Sequence, residues 1–482
     1  MKRLYTILIT ALILSGCSQV PRTSSVSESL PSIFPDNTGI TVPSNIAPVN
    51  FRINDQADRY LTLLESPTAS VKVSGRNVCI PRSKWNRLKQ GGEITVTVFV
   101  KRDGKWSSLK SFPIHVSSDE IDRYISYRLI PPLFESYNRL SINQRDLTSF
   151  KEKIIYANEM AMEDGTRHCI NCHNYRNYKT DNMQFHVRQN LAGTIMYTDG
   201  KLHKLNLKTD STISAGVYPS WHPTHDYVAY SNNFTFQRMH MNFMDRNYVL
   251  DTQSDLILYD IKNNAVSIIE NDPDQLECYP SWSPDGRTLY YVSARDTKGG
   301  TVRYNLYSKP FNPDTRAWGE SRLIINADSM HKSVTLPRVS PDGRWLLVAM
   351  GSEGVFQIGH SESGLAMMDL TDGSLRLLDE VNSPKAESYH SWSSNGKWII
   401  FSTRRDEGEF TRLYIAHMEN DGTFSKPFQL PQRDPEFSDK FLNSFNIPEF
   451  MIEPVRVSAR QLASFIKSSK AENASFESKI EQ

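Results

Sequence analysis

Four segments of the chain carry one short pattern. Tyr218-Pro219-Ser220-Trp221-His222-Pro223, Tyr279-Pro280-Ser281-Trp282-Ser283-Pro284-Asp285-Gly286, Leu336-Pro337-Arg338-Val339-Ser340-Pro341-Asp342-Gly343 and Tyr389-His390-Ser391-Trp392-Ser393-Ser394-Asn395-Gly396 align on residues 221, 282, 339 and 392, at intervals of 61, 57 and 53. Each copy runs into an apolar stretch such as Thr288-Leu289-Tyr290-Tyr291-Val292. A period of this size, with strands and turns inside every unit, restricts the chain to a propeller or a solenoid. Pro-Asp-Gly makes a tight turn between strands: Pro fixes one φ, Asp bonds nearby backbone and Gly accepts a positive φ. A later strand in the unit ends in a second turn, as in Leu365-Ala366-Met367-Met368-Asp369-Leu370-Thr371-Asp372-Gly373. Several strands per unit favour radial blades, which leave only short sheet edges.

These residues resemble the TolB-type β-propeller, in which Trp-Ser-Pro-Asp-Gly recurs once per blade. The resemblance covers residues 183–455, and four clear copies plus weaker units at 183–210 and 410–455 imply five or six blades. His222 and Thr224-His225-Asp226 replace Ser-Pro-Asp-Gly in the first copy, and Ser394-Asn395 replaces Pro-Asp in the fourth. The resemblance implies an interaction scaffold of the cell envelope.

Ahead of the repeat the pattern changes to period two. Ile94-Thr95-Val96-Thr97-Val98-Phe99-Val100 alternates, Asp103-Gly104 offers a turn, and Trp106 to Val116 returns through Phe112 and Ile114, which predicts a hairpin. With strands at Val71-Lys72-Val73 and Asn77-Val78-Cys79-Ile80, residues 47–117 read as a small β-sandwich. Ser117-Ser118-Asp119-Glu120 has capping-box spacing, and Ile121, Tyr124, Ile125 and Leu129 follow at helical intervals, so residues 118–182 read as a helical linker. Residues 18–46, rich in Ser, Pro and Thr, read as a flexible tether, and 456–482 as a polar tail. The expected class is therefore mainly β: sandwich, short helical linker, propeller.

The first seventeen residues place Lys2-Arg3 before an apolar run that ends in Leu14-Ser15-Gly16-Cys17. The run is too short to span a bilayer. Leu14-Ser15-Gly16-Cys17 resembles a bacterial lipobox, which implies cleavage before Cys17 and lipidation of its thiol; an ordinary secretory leader is the alternative. Ser18 in place of Asp implies the outer membrane, facing the periplasm or the surface. The 55 Lys+Arg and 54 Asp+Glu nearly cancel, so no nucleic-acid partner is expected.

Within the linker stands His168-Cys169-Ile170-Asn171-Cys172-His173. Cys-x-x-Cys-His is the spacing of covalent haem c, with two thiols for the vinyl groups and the next imidazole for iron. On this reading Cys169, Cys172 and His173 hold haem c, His186 is the second iron ligand ahead of Met183, Met160, Met162 and His168, and Arg188 neutralises a propionate. A Cys169–Cys172 disulfide and zinc held by His168, Cys169, Cys172 and His173 stay open. Cys79 and Cys278 read as buried thiols. Met239-His240-Met241 suggests soft metal chemistry but reads more simply as a loop. Walker, Rossmann and H-E-x-x-H motifs are absent, and Gly359-His360-Ser361-Glu362-Ser363-Gly364 lacks G-x-S-x-G spacing. Order and motifs together resemble TolB-like, cytochrome c-type envelope lipoproteins of Bacteroidota-type bacteria. That resemblance implies electron transfer or haem-linked sensing, with the propeller docking an envelope redox partner or protein complex. The alternative is a non-catalytic scaffold for protein or glycan.

Overall fold

The computed structural model describes residues 20–23, 25–132, 139–162, 167–239, 247–297 and 300–478. Six four-stranded blades surround a channel. Blade one holds Tyr124–Ile130, Ser141–Asp146 and Glu152–Ala157, and its innermost strand is Ser444–Met451 from the far end of the chain. Blade two is His168–Arg176, Lys179–Gln189, Gly193–Thr198 and Lys201–Asn206. Blades three to six begin at Val217–Trp221, Gln275–Trp282, Ser333–Val339 and Glu387–Trp392. Six falls within the expected five or six, but the propeller starts near 124 rather than 183.

The helical linker is therefore a correction. Tyr124-Ile125-Ser126-Tyr127-Arg128-Leu129-Ile130 forms a strand in which Ile125, Tyr127 and Leu129 are buried. That burial has period two, and its β-branched and aromatic content suits a pleated surface better than a helix. The capping-box spacing initiates nothing, because Ser117 ends the strand Phe112–Ser117.

The sandwich forms from a seven-stranded sheet and a three-stranded sheet, Ile33–Phe34, Phe51–Ile53 and Asn77–Val78. Asp103 and Gly104 turn the chain with φ of 50° and 77° between Glu93–Arg102 and Lys105–Ser108, as the two-residue hairpin turn requires. Phe112–Ser117 then continues along the same edge of Glu93–Arg102, whose other edge pairs with Arg59–Ser66. The helix Arg82–Lys89, with Trp85 and Leu88 buried, was not anticipated. Nor is the preceding segment a free tether along its described length: Ser25–Val26, Ile33–Phe34 and Thr41–Pro43 all pair with sandwich strands. Cys17 lies outside the described residues.

The polar tail is a second correction. Ala459–Ser468 is a helix whose N-cap Ser458 forms a full capping box with Gln461. Its Leu462, Ala463 and Ile466 pack into the core between blades one and two. Beyond it Glu472–Asn473 and Ser475–Phe476 add as outermost strands to blades two and three. Sandwich and propeller share one continuous core: Trp85, Val98 and Ile114 belong to the same cluster as Trp398, Ile400 and Ile415 of blade six and Ile125 of blade one. Among the described residues no helix is long and apolar enough to cross a membrane.

Candidate functional site

The innermost strand of every blade breaks register at an equivalent place, and that of blade two a second time at Tyr175/Arg176. Two residues at the equivalent place oppose one on the neighbouring strand: Cys172-His173, Tyr218-Pro219, Tyr279-Pro280, Leu336-Pro337, Tyr389-His390 and Ile447-Pro448. The first of each pair is left-handed, with φ between 46° and 56°. Proline explains four of the six bulges, since it offers no N–H to the ladder and forces an interruption. The six left-handed residues point the wall inward, and together they close the channel to a cavity of about 50 Å³.

This ring redefines the Cys-x-x-Cys-His motif. Cys172-His173-Asn174-Tyr175 stands in the register of Tyr218-Pro219-Ser220-Trp221, as the second blade's own copy of the repeat. Cys172 Sγ accepts the Tyr218 N–H of blade three at 3.5 Å, and burial pushes its thiol pKa up. The His173 ring faces the other way, beside Ser126, Arg128 and Ile447 of blade one. Neither of its nitrogens reaches a partner in good hydrogen-bond geometry, although the Ser126 and Ile447 backbone lies close enough to favour the protonated ring. Desolvation, reinforced by Arg128, holds its pKa down to about 3. The equivalent His390 instead engages the Leu347 carbonyl at 3.1 Å.

The motif's alternatives can be weighed from this geometry. A disulfide needs Cα atoms within about 7 Å, whereas three residues of regular ladder separate Cys169 and Cys172 by about 10 Å; both thiols are free. Zinc is overturned too: among the described residues no three His, Cys, Asp or Glu side chains converge as a metal site, and His168 is turned to the Tyr156 hydroxyl at 2.9 Å. A porphyrin does not fit this strand. The thiol of Cys172 and the imidazole of His173 face different blades, and the cavity they share is far below the roughly 300 Å³ of the smaller ligand pockets.

The remaining candidates separate. Met183 is core, 2% exposed. His186 and Arg188 do come together, lining a cleft of about 440 Å³ between blades two and three. Cys169 pairs with Arg188 and Asn171 with His186 in the ladder. Cross-strand partners share a face, so these four residues lie on one side of the blade. Desolvation, then Arg188, pushes the His186 pKa down to about 3. Cys278 is buried as expected, whereas Cys79 is exposed. His240 and Met241 lie outside the described residues.

At the end of the channel that carries the Pro-Asp-Gly turns, the bulge ring opens into a mouth of about 380 Å³. Trp221, Trp282 and Trp392, with Ser220, Ser281 and Ser391, bring three blades to it. An ion pair between Arg338 and Glu449 at 2.8 Å sits at its base, and Asn174 donates to the same carboxylate at 3.3 Å.

With the ring and its two openings described, the chain can be set against known proteins. No family model matches it. Uncharacterized protein Atu1656 of Agrobacterium fabrum is 26% identical over 216 residues, 42% of this chain, and the match spans 63% of that relative's length. Among solved structures, prolyl oligopeptidase B from Galerina marginata aligns over 80% of this chain and 54% of its own, at 9% identity and a TM-score of 0.38. The β-propeller domain of the Trilobed protease from Pyrococcus furiosus aligns over 71% and 95%, at 12% identity and a TM-score of 0.34.

Sequence reasoning missed the mouth. Its Trp and Ser residues lie inside the repeat that was read, but their convergence depends on blade closure, and Glu449 belongs to a copy without Trp-Ser-Pro-Asp-Gly.

Proposed function

We propose that this protein is a non-catalytic binding scaffold, tethered in the cell envelope through Cys17, whose partner docks at the wide channel mouth. The observation that carries this is the 380 Å³ mouth: indoles and hydroxyls from three blades surround an ion pair of half-buried Arg338 with buried Glu449, above a channel closed by the bulge ring. Such a concave site, mixed in polarity and closed behind, suits insertion of a loop or chain end of a protein partner. A photoreactive amino acid at Thr224, on the mouth, should give an adduct of discrete mass in cells, whereas one at Asp199, exposed on blade two, should not. No adduct, or equal adducts from both, rejects the reading.

Covalent haem c at Cys169 and Cys172 with His173 on iron is the second reading, favoured by the motif spacing and by an imidazole whose nitrogens make no well-formed hydrogen bond. It requires His168–Arg176 to leave the ladder of blade two. A haemochrome band surviving denaturation, in protein from a host with haem-maturation machinery, would establish it and displace the scaffold reading as the main function.

A further inference from the structure

The 440 Å³ cleft between blades two and three opens at the strand ends remote from the Pro-Asp-Gly turns, so it is separate from the wide mouth. Three of its polar groups have capacity that the protein does not use. Arg188 is exposed at its edge and has no acidic partner among the described residues. His186 is 6% exposed; its Nδ1 lies 3.3 Å from Thr194 Oγ1, and its Nε2 makes no hydrogen bond among the described residues. Asn233 is 8% exposed; its amide nitrogen donates to Asp251 at 2.8 Å, but its Oδ1 is buried without a donor. Leu205, Val217 and the Tyr218 ring supply an apolar wall.

A buried carbonyl oxygen without a donor is costly, and an unpaired guanidinium is the preferred partner of a carboxylate. The volume is that of small-ligand pockets. We propose that this cleft binds the carboxylate end of a peptide or an amino acid. The carboxylate sits on Arg188, and an apolar side chain lies against Leu205 and Val217. His186 Nε2 faces the carboxylate's second oxygen or its neighbouring carbonyl.

Calorimetric titration of the full chain tests this with four probes: acetyl-Ala-Phe with a free carboxylate, the same dipeptide amidated, phenylalanine and inorganic phosphate. The free acid should bind at least tenfold more tightly than the amide. Arg188→Gln, a change at an exposed position, should weaken the acid about tenfold or more. Ala192→Trp, which fills the cleft from its exposed rim, should abolish binding without lowering the melting temperature. Binding of acetyl-Ala-Phe alone assigns the source as a peptide terminus, and equal binding of phenylalanine assigns it as an amino acid. Equal affinity for acid and amide, phosphate binding as tightly as the acid, an unchanged Arg188→Gln variant, or no binding by any probe overturns the proposal.

Discussion

Three turns of the repeat end in glycines with nearly the same backbone and different surroundings, which makes them a graded test of how blades press together. Gly343, Gly396 and Gly286 have φ of 78°, 68° and 70°. A Cβ at Gly343 would meet nothing within 4 Å, at Gly396 the Pro341 ring at 3.4 Å, and at Gly286 two atoms of the His222 ring at 2.4 Å. Alanine at any of them carries the left-handed penalty of about 1–2 kcal/mol. At Gly286 it must also displace an imidazole that is fully buried and tied to the Gly286 carbonyl at 2.9 Å, an overpacking cost of about 1–3 kcal/mol. Gly343→Ala and Gly396→Ala should therefore each lose about 1–2 kcal/mol, and Gly286→Ala about 2–5 kcal/mol. Urea unfolding followed by tryptophan fluorescence reads the difference as a shift of midpoint at constant slope. Equal losses for Gly343→Ala and Gly286→Ala would refute the steric argument and the blade-to-blade role assigned to His222.

Other perturbations reach different parts of the molecule. Burial, helped by Asp255 and Glu270, raises the Glu277 pKa from 4.5 to about 8, so the folded protein retains a proton that the unfolded chain releases. Its contribution is full below about pH 4.5 and fades as pH rises through 8. Glu277→Gln should thus gain melting temperature relative to the parent between pH 5 and pH 9, by an amount on the order of a few kcal/mol in stability, and parallel curves would contradict this. Leu462→Ala in the C-terminal helix, at a fully buried position, should cost about 2–5 kcal/mol in urea unfolding, where a disordered tail would give no change. In the native protein a thiol reagent should modify Cys79 and Cys169 and spare Cys172 and Cys278 until denaturant is added, following their exposure; mass mapping of the labelled peptides checks the order.

The propeller was legible because four copies of its turn carry chemistry that few other structures need. What failed was recognising the two degenerate copies. His173-Asn174-Tyr175 and Pro448-Glu449-Phe450 stand 46 residues before Trp221 and 58 after Trp392 at their aromatic positions, close to the period of the others. Each keeps only the bulge and the aromatic; the turn of blade two runs through Arg176 and Asn177, which bond Asp226 and Pro223 of blade three without a Pro-Asp-Gly sequence. Cys-x-x-Cys-His drew the second blade's copy toward metal chemistry, since spacing alone does not reveal that the segment is extended. His186 and Arg188 were singled out and do share a cleft, yet the bulge at Cys172-His173 turns His173 away from their face. The Arg338–Glu449 pair, 111 residues apart in sequence, follows from topology and left no local signal.

The strand Ser444–Met451 reaches blade one only after almost the whole chain has been made. Until then, a polypeptide emerging from its N-terminus is an arc with a raw strand edge at Tyr124–Ile130, able to recruit a stranger's strand, and an uncovered apolar face on blade six. Messages that stop before residue 444 would therefore yield sticky, self-associating fragments instead of smaller versions of the protein, and the last fraction of synthesis decides whether a molecule is solitary or an aggregate seed.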